Sequence, residues 1–351
     1  MPTVPSQLNL AQLDAERLTP SPFILALPKA ELHLHLEGAV QPQTLMELSR
    51  RHDAEPLTLE QVEALYRYQD FTGFMMAFKA VSERLRTPED YELITYELMR
   101  QLAAENVVHA EVYLSAGIIH WRKQEFAPIL AGAERGRERG ARDFGVSLLW
   151  IVDAVRHFGP ERVQRVFEDA ARLKNAGGPG AAIVGVGIGG DERQAAPELF
   201  REQYDYARKQ GLHLTCHAGE TVGPESVWGA LNLGAERIGH GLTAWQDREL
   251  MAVLVERQVP VEICVTSNLR TRSCASLEQH PLKTYFELGV MVTLNSDDPA
   301  MFRTSLAREY ALAQAAFELS DDHLRELARN SFEASFLPAE KKLEFFARID
   351  K

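Results

Sequence analysis

Two histidines stand two residues apart in Lys29-Ala30-Glu31-Leu32-His33-Leu34-His35-Leu36-Glu37-Gly38. If this segment is a strand, His33 and His35 share a face and aim at one point, because alternate side chains point the same way. That is half of a metal site. Further imidazoles and carboxylates occur in Thr215-Cys216-His217-Ala218-Gly219-Glu220, in Arg237-Ile238-Gly239-His240-Gly241 and in Leu294-Asn295-Ser296-Asp297-Asp298-Pro299. Three neutral imidazoles and one carboxylate, with a water, suit zinc; harder ions prefer oxygen shells. The expected ligands are His33, His35, His217 and Asp297, holding one zinc ion per chain. Two groups remain in reach of a water at such a centre. His240 can take or stabilise its proton, and Glu220, on the loop after His217, can face a substrate nitrogen. Cys216 points to the opposite strand face from His217 and is expected to pack. Asp298 reads equally as a helix cap and as a site residue.

These residues need a scaffold that brings distant strand ends together. After a first strand at Ala30 to Leu36, residues 42–105 are mostly helical in pattern. From Val107 onward, strands and helices alternate. Strand candidates are Val107 to Leu114, Gly145 to Val152, Ala182 to Ile188, Leu212 to His217, Arg237 to Gly239, Val261 to Val265 and Val290 to Asn295. Continuous apolar runs between helices imply parallel strands buried on both faces. Eight such units predict an α/β fold, a (β/α)8 TIM-type barrel, with a doubly wound open sheet as the alternative. Barrel enzymes carry their chemistry at the carboxyl ends of the strands, where the histidine and carboxylate clusters fall. The whole chain is expected to form one hydrolase barrel. Residues 1–28 form a leader with a short helix around Leu8 to Leu18, 42–105 a helical cap inserted after the first strand, and 303–351 closing helices. Phe71, Phe74, Met75 and Phe78 lie on the cap at helical spacing, as packing or as pocket lining.

A net charge of −12 over 351 residues repels phosphate backbones, so no nucleic-acid partner is expected. No apolar run approaches the roughly 18 residues that cross a bilayer, and the first residues lack a signal-peptide pattern. Three cysteines, Cys216, Cys264 and Cys274, do not suggest a disulfide framework, so a cytoplasmic protein is expected.

His33-Leu34-His35-Leu36-Glu37-Gly38, His217-Ala218-Gly219-Glu220, Ile238-Gly239-His240-Gly241, Ser267-Asn268 and Asn295-Ser296-Asp297-Asp298-Pro299 together resemble the adenosine deaminase family of the amidohydrolase superfamily, in that family's order and across roughly residues 27–335. The resemblance implies a zinc barrel that hydrolyses the 6-amino group of a purine. It implies zinc ligation by His33, His35, His217 and Asp297, and protonation of purine N1 by Glu220. It further implies orientation and deprotonation of the attacking water by His240, a hydrogen bond from Asp298 to N7, and contact of the Gly190 backbone N–H with N3. Addition at C6 then gives a tetrahedral species from which ammonia leaves.

The match departs from the family in informative places. Adenosine deaminases usually carry Asp where this chain has Glu37, placed for the ribose 5′-hydroxyl. The segment Glu111-Val112-Tyr113-Leu114-Ser115-Ala116-Gly117 replaces a usual Glu-Val-Arg-Tyr-Ser-Pro, and Ser267-Asn268-Leu269-Arg270-Thr271 replaces Ser-Asn-x-x-Thr-Gly. These departures resemble bacterial 6-aminodeoxyfutalosine deaminases of menaquinone biosynthesis, whose substrate lacks the 5′-hydroxyl and carries a benzoate. Arg84, Arg86, Arg122 and above all Arg156, which follows a strand end, are the candidate carboxylate partners. Adenosine or adenine is the alternative substrate, and a non-catalytic zinc protein the remaining one.

Overall fold

A computed structural model describes residues 13–68 and 71–350. Eight parallel strands lie side by side in sequence order: β1 Lys29–His35, β2 Val107–Leu114, β3 Ser147–Val155, β4 Ile183–Gly189, β5 His213–Ala218, β6 Arg237–His240, β7 Val261–Ile263 and β8 Val292–Leu294. Every residue of β2, β6, β7 and β8 is buried, as expected for strands covered on both faces. The barrel closes between β8 and β1, just past the end of β8. Asp297 donates its N–H to His33 O (3.0 Å) and accepts from His35 N–H (2.8 Å). Asn295 Oδ1 accepts from the N–H groups of both Leu32 and His33 (2.9 and 3.0 Å). That side chain substitutes for ladder bonds, which is why β8 ends before Asn295 although the pattern predicts strand through it. β7 likewise stops at Ile263, because Val265–Arg270 turns into a helix.

The segment expected as one cap divides in two. Helices Pro42–His52, Leu59–Leu65 and Phe71–Ser82 stand over the carboxyl end of β1. There the Tyr66 hydroxyl donates to Val40 O (2.6 Å), and Phe74 stacks on Phe302 with centroids 5.0 Å apart. The fourth helix, Pro88–Ala104, belongs to the outer ring and lies along Phe126–Phe144. Three glycines one turn apart permit this close packing: a Cβ on Gly132, Gly136 or Gly140 would fall 2.0 Å from Pro88 O, 2.4 Å from Glu92 O and 2.6 Å from Met99 Sδ. Thr87 caps that helix in a capping box with Asp90, with Pro88 in its first turn.

Of the leader, residues 1–12 lie outside the described residues. The rest forms a 3-10 turn at Ala15–Arg17 and a helix at Pro22–Ala26, which Ser21 caps and Pro22 starts. Leu306–Phe317, Asp321–Glu333 and Ala339–Ile349 follow the barrel. The helix Asp321–Glu333 covers the seam, with Ser331 Oγ accepting from Ala30 N–H (3.1 Å) and Asn330 Nδ2 donating to Val292 O (3.2 Å).

Candidate active site and metal centre

β1 delivers His33 and His35, β5 His217, β6 His240, and the turn after β8 Asp297. Nε2 of His35 and of His217 lie 3.3 Å apart, and Asp297 Oδ1 lies 3.6 Å from His33 Nε2 and 3.4 Å from His35 Nε2. Close approach at β6 makes room: β5 pairs His217 with Gly239, and a Cβ on Gly239 would strike His33 Cε1 at 2.7 Å. Both His240 and Asp297 take left-handed backbone, with φ of 66° and 64°, a conformation that costs of the order of 1 kcal/mol or more for a residue with a side chain.

The ring orientations are enforced from outside. His33 Nδ1 donates to Glu262 Oε2 (2.8 Å) and His217 Nδ1 to Ile188 O (3.1 Å), so both rings turn Nε2 to the centre. Ser267 Oγ donates to Asp297 Oδ2 (2.6 Å), leaving Oδ1 for the centre. Among the described residues, His33 Nε2 is buried without a hydrogen-bond partner. A buried imidazole nitrogen without a hydrogen-bond partner, and two imidazole nitrogens nearly in contact, fit a cation bound among His33, His35, His217 and Asp297. Both groups of described residues able to hold a metal ion lie here, one with His33, His35 and His217, the other with His33, His240 and Asp297.

The electrostatics without metal agree. Burial lowers the His35 pKa to about 4 and takes His217 well below the ordinary histidine value. Burial also opposes charge on His33, but Asp297 and Glu262 outweigh it and raise its pKa to about 10. Burial would raise Asp297, yet His33 holds it well below the usual carboxylate range. The one proton held among these four groups is what a metal would displace.

Glu220 Oε2 lies 3.7 Å from His240 Nε2, and Glu220 Oε1 accepts from Ser273 Oγ (3.2 Å). The loop carrying Glu220 is held by Glu192, whose carboxylate accepts from the N–H groups of Gly219, Glu220, Thr221 and Val222. Asp298 sits at the start of helix Pro299–Phe302 but makes no side-chain cap bond. Among the described residues its Oδ1 is buried without a hydrogen-bond partner, and burial beside Asp297 raises its pKa well above the ordinary value. Glu37 is also buried, accepts from Ser115 N–H through Oε1 (3.3 Å), and is raised by burial to about 7. Gly190 follows β4 with φ +90°. Phe71 opens the helix Phe71–Ser82, but its side chain lies outside the described residues.

The arginines expected to meet a carboxylate are engaged elsewhere. Arg156 is fully buried behind β5, donating to His217 O and to Ala195 O (3.3 Å). The strand end directs it into the wall behind His217. Arg84 pairs with Asp53 (2.6 Å), Arg86 donates to His52 O (3.0 Å), and Arg122 donates to Ser82 O and Leu85 O. A cavity of about 200 Å³ between the cap and helix Pro299–Phe302 is lined by Arg67, Arg270 and Arg303, with Tyr66, Tyr68, Met301 and Phe302. Arg270 and Arg303 also pair with Asp14 and Glu16.

Sequence reasoning missed Glu262, Arg237, Glu111, Glu192 and Asp153. Arg237 joins Glu111 and Glu262 in a fully buried network below His33. The available signal was charge within short, otherwise apolar strands, where an unpaired charge is costly. Among the described residues Asp153, near the end of β3, keeps a buried Oδ1 without a hydrogen-bond partner, and burial raises its pKa well above the usual range.

Comparison with known proteins agrees with this geometry. The family model described as adenosine deaminase matches residues 28–351. The chain is 40% identical over 333 residues to an aminodeoxyfutalosine deaminase of Streptomyces avermitilis, covering 93% of this chain and 92% of the relative. It is 35% identical to an adenine deaminase of Chelativorans sp. (strain BNC1), covering 92% and 98%. A cog1816 amidohydrolase from Burkholderia ambifaria, solved with bound Zn, superposes with a TM-score of 0.85 at 27% identity, covering 95% and 93%. A barrel whose strand ends converge on this cluster, matched by that family along almost its whole length, is a hydrolytic deaminase belonging to the adenosine deaminase family.

Proposed function

We propose that the chain removes the 6-amino group of 6-aminodeoxyfutalosine as ammonia, with one zinc ion, in the menaquinone pathway. The observation that carries the substrate is Glu37. A buried carboxyl, longer than the Asp usual in the family, stands where the resemblance implies a partner for a ribose 5′-hydroxyl, and this supports a substrate that lacks that hydroxyl. The similarity to an aminodeoxyfutalosine deaminase supports the same reading. The cavity beside Phe302 keeps Arg67, Arg270 and Arg303 in its wall, all three also paired with acids, and a carboxylate-bearing 5′ substituent fits there by competing for them. Three unpaired cysteines suit a cytoplasmic enzyme.

Zinc held by His33, His35, His217 and Asp297 would supply a Lewis acid that lowers the pKa of water to about 7. The chain's own groups do the rest. Glu220, oriented by Ser273 and by the loop that Glu192 secures, brings a proton to purine N1 and makes C6 electrophilic. Asp298, kept protonated by burial beside Asp297, donates to N7. The Gly190 N–H contacts N3, and His240 hydrogen-bonds the oxygen entering at C6. Glu220 and His240 are not required to hold a metal, which favours an enzyme over a zinc-binding scaffold.

Adenine deamination is the second reading, favoured by the Chelativorans relative. Ammonia release from 6-aminodeoxyfutalosine, adenosine and adenine decides between them. The proposal expects kcat/KM for the first to exceed the others at least a hundredfold and to vanish in Glu220→Gln with zinc still bound. Preference for adenine or adenosine overturns the substrate assignment; full turnover by Glu220→Gln overturns the role of that residue.

A further inference from the structure

His240 faces the centre through Nε2, and behind its ring a file of buried hydrogen bonds runs outward. Asn268 Nδ2 lies 3.1 Å from His240 Nδ1. Asn268 Oδ1 lies 3.2 Å from His280 Nε2. His280 Nδ1 lies 3.2 Å from the backbone nitrogen of Leu282. His240, Asn268 and His280 are all buried, so water does not stand in for a missing partner.

The polarity of this file is set at its far end. The Leu282 N–H can only donate, so His280 Nδ1 must accept. Burial lowers the His280 pKa to about 3, and the ring stays neutral at physiological pH. Its single proton is therefore on Nε2 and is donated to Asn268 Oδ1. That choice orients the Asn268 amide and turns its NH2 toward His240, whose Nδ1 must accept in turn. Reversing the file would oppose His280 Nδ1–H to Leu282 N–H, leaving two donors without an acceptor in a dry site.

We infer that His280 is a positioning residue which, through Asn268, holds His240 in the tautomer with its proton on Nε2. His240 thus presents a donor, not a lone pair, to the reacting atoms. In the deamination proposed above, on which this role rests, His240 stabilises the oxygen entering at C6 by hydrogen bonding. It does not remove a proton from it. A histidine 40 positions along the chain, outside every motif at the centre, fixes that choice.

The tautomer is read directly by 15N NMR of histidine-labelled full-length protein, metal-free and zinc-loaded, with His240 assigned from its loss in His240→Ala. Expected is a protonated Nε2 and a bare Nδ1 on His240. His280→Gln keeps a side-chain N–H for Asn268 and should keep the tautomer and kcat. His280→Leu should give a mixture of tautomers and a kcat lower by about ten- to a hundredfold, with KM moved less than threefold. A protonated Nδ1 in the parent protein overturns the inference, as does a His280→Leu protein with unchanged tautomer and kcat. If neither variant folds, the parent spectrum alone decides. The spectrum needs no substrate, so failure to turn over any purine refutes the proposed function and leaves this test standing.

Discussion

Replacing Glu262 by Gln tests whether the buried network below the centre holds the metal. Glu262 bridges His33 (2.8 Å) and Arg237 (2.6 Å), and all three are fully buried. Glutamine keeps the shape but offers one acceptor oxygen and one NH2 group. Either His33 Nδ1–H or Arg237 Nε–H must then face a donor. The His33 ring loses the bond that aims its Nε2 lone pair inward, and losses of this kind lower metal affinity about ten- to a hundredfold, or about 1.4–2.7 kcal/mol. Breaking a buried ion pair by removing one partner costs about 3–5 kcal/mol. Arg237 keeps Glu111, so the low end, about 3 kcal/mol, applies to the metal-free protein. At fixed free zinc the two effects combine to about 4–6 kcal/mol. Urea unfolding with a chelator, then at buffered zinc, separates them, and chelator competition measures affinity. A Glu262→Gln protein with zinc affinity within twofold of the parent would refute the reasoning.

The same electrostatics predict that zinc binding at pH 6 displaces about one proton, because His33 alone among the three proposed histidine ligands holds its proton to about pH 10. Since the proton competes with the metal, affinity rises with pH through that window, about tenfold per unit. Calorimetry in buffers of different ionisation enthalpy counts the protons, and a count of zero contradicts the His33 assignment. Asp297→Ala should lose zinc, whereas Asp298→Ala should retain it and lower kcat/KM about ten- to a hundredfold through a lost hydrogen bond of about 1–3 kcal/mol; metal analysis beside kinetics distinguishes the two acids. Gly136→Val puts atoms where Glu92 O stands 2.4 Å from the Cβ position, and should destabilise the protein by about 2–3 kcal/mol in urea. A change below about 0.5 kcal/mol would show that the helix pair yields freely.

What could be read from the sequence follows from which interactions are local. His33 and His35 two apart, and histidines or acids ending three other strands, reveal the centre because period and strand end are chain-local properties. The barrel is legible for the same reason, in apolar runs spaced by helices. Partners across the barrel are not. Glu262 meeting His33, Glu192 gathering the loop at Glu220, and His280 acting on His240 through Asn268 depend on register between distant segments. Arg156 shows a further limit: its strand-end position was legible, but not that its side chain turns behind β5 to the carbonyl of His217. The glycine ridge on Phe126–Phe144 was visible as three residues at spacing four, yet only the helix laid against it shows why Pro88–Ala104 belongs to the ring.

The seam between β1 and β8 carries a consequence for how the protein is made. Asn295 and Leu32 are 263 residues apart along the chain, and Asp297 reaches the centre only by pairing with His33 and His35 across that gap. A chain emerging through β7 therefore has His33, His35 and His217 but neither the carboxylate nor the backbone bonds that square β1 to it. Closing so long a loop costs entropy before any contact repays it, which places this step late in folding. Metal loading thus reports completion: an ion bound with full affinity certifies that the last strand has found the first.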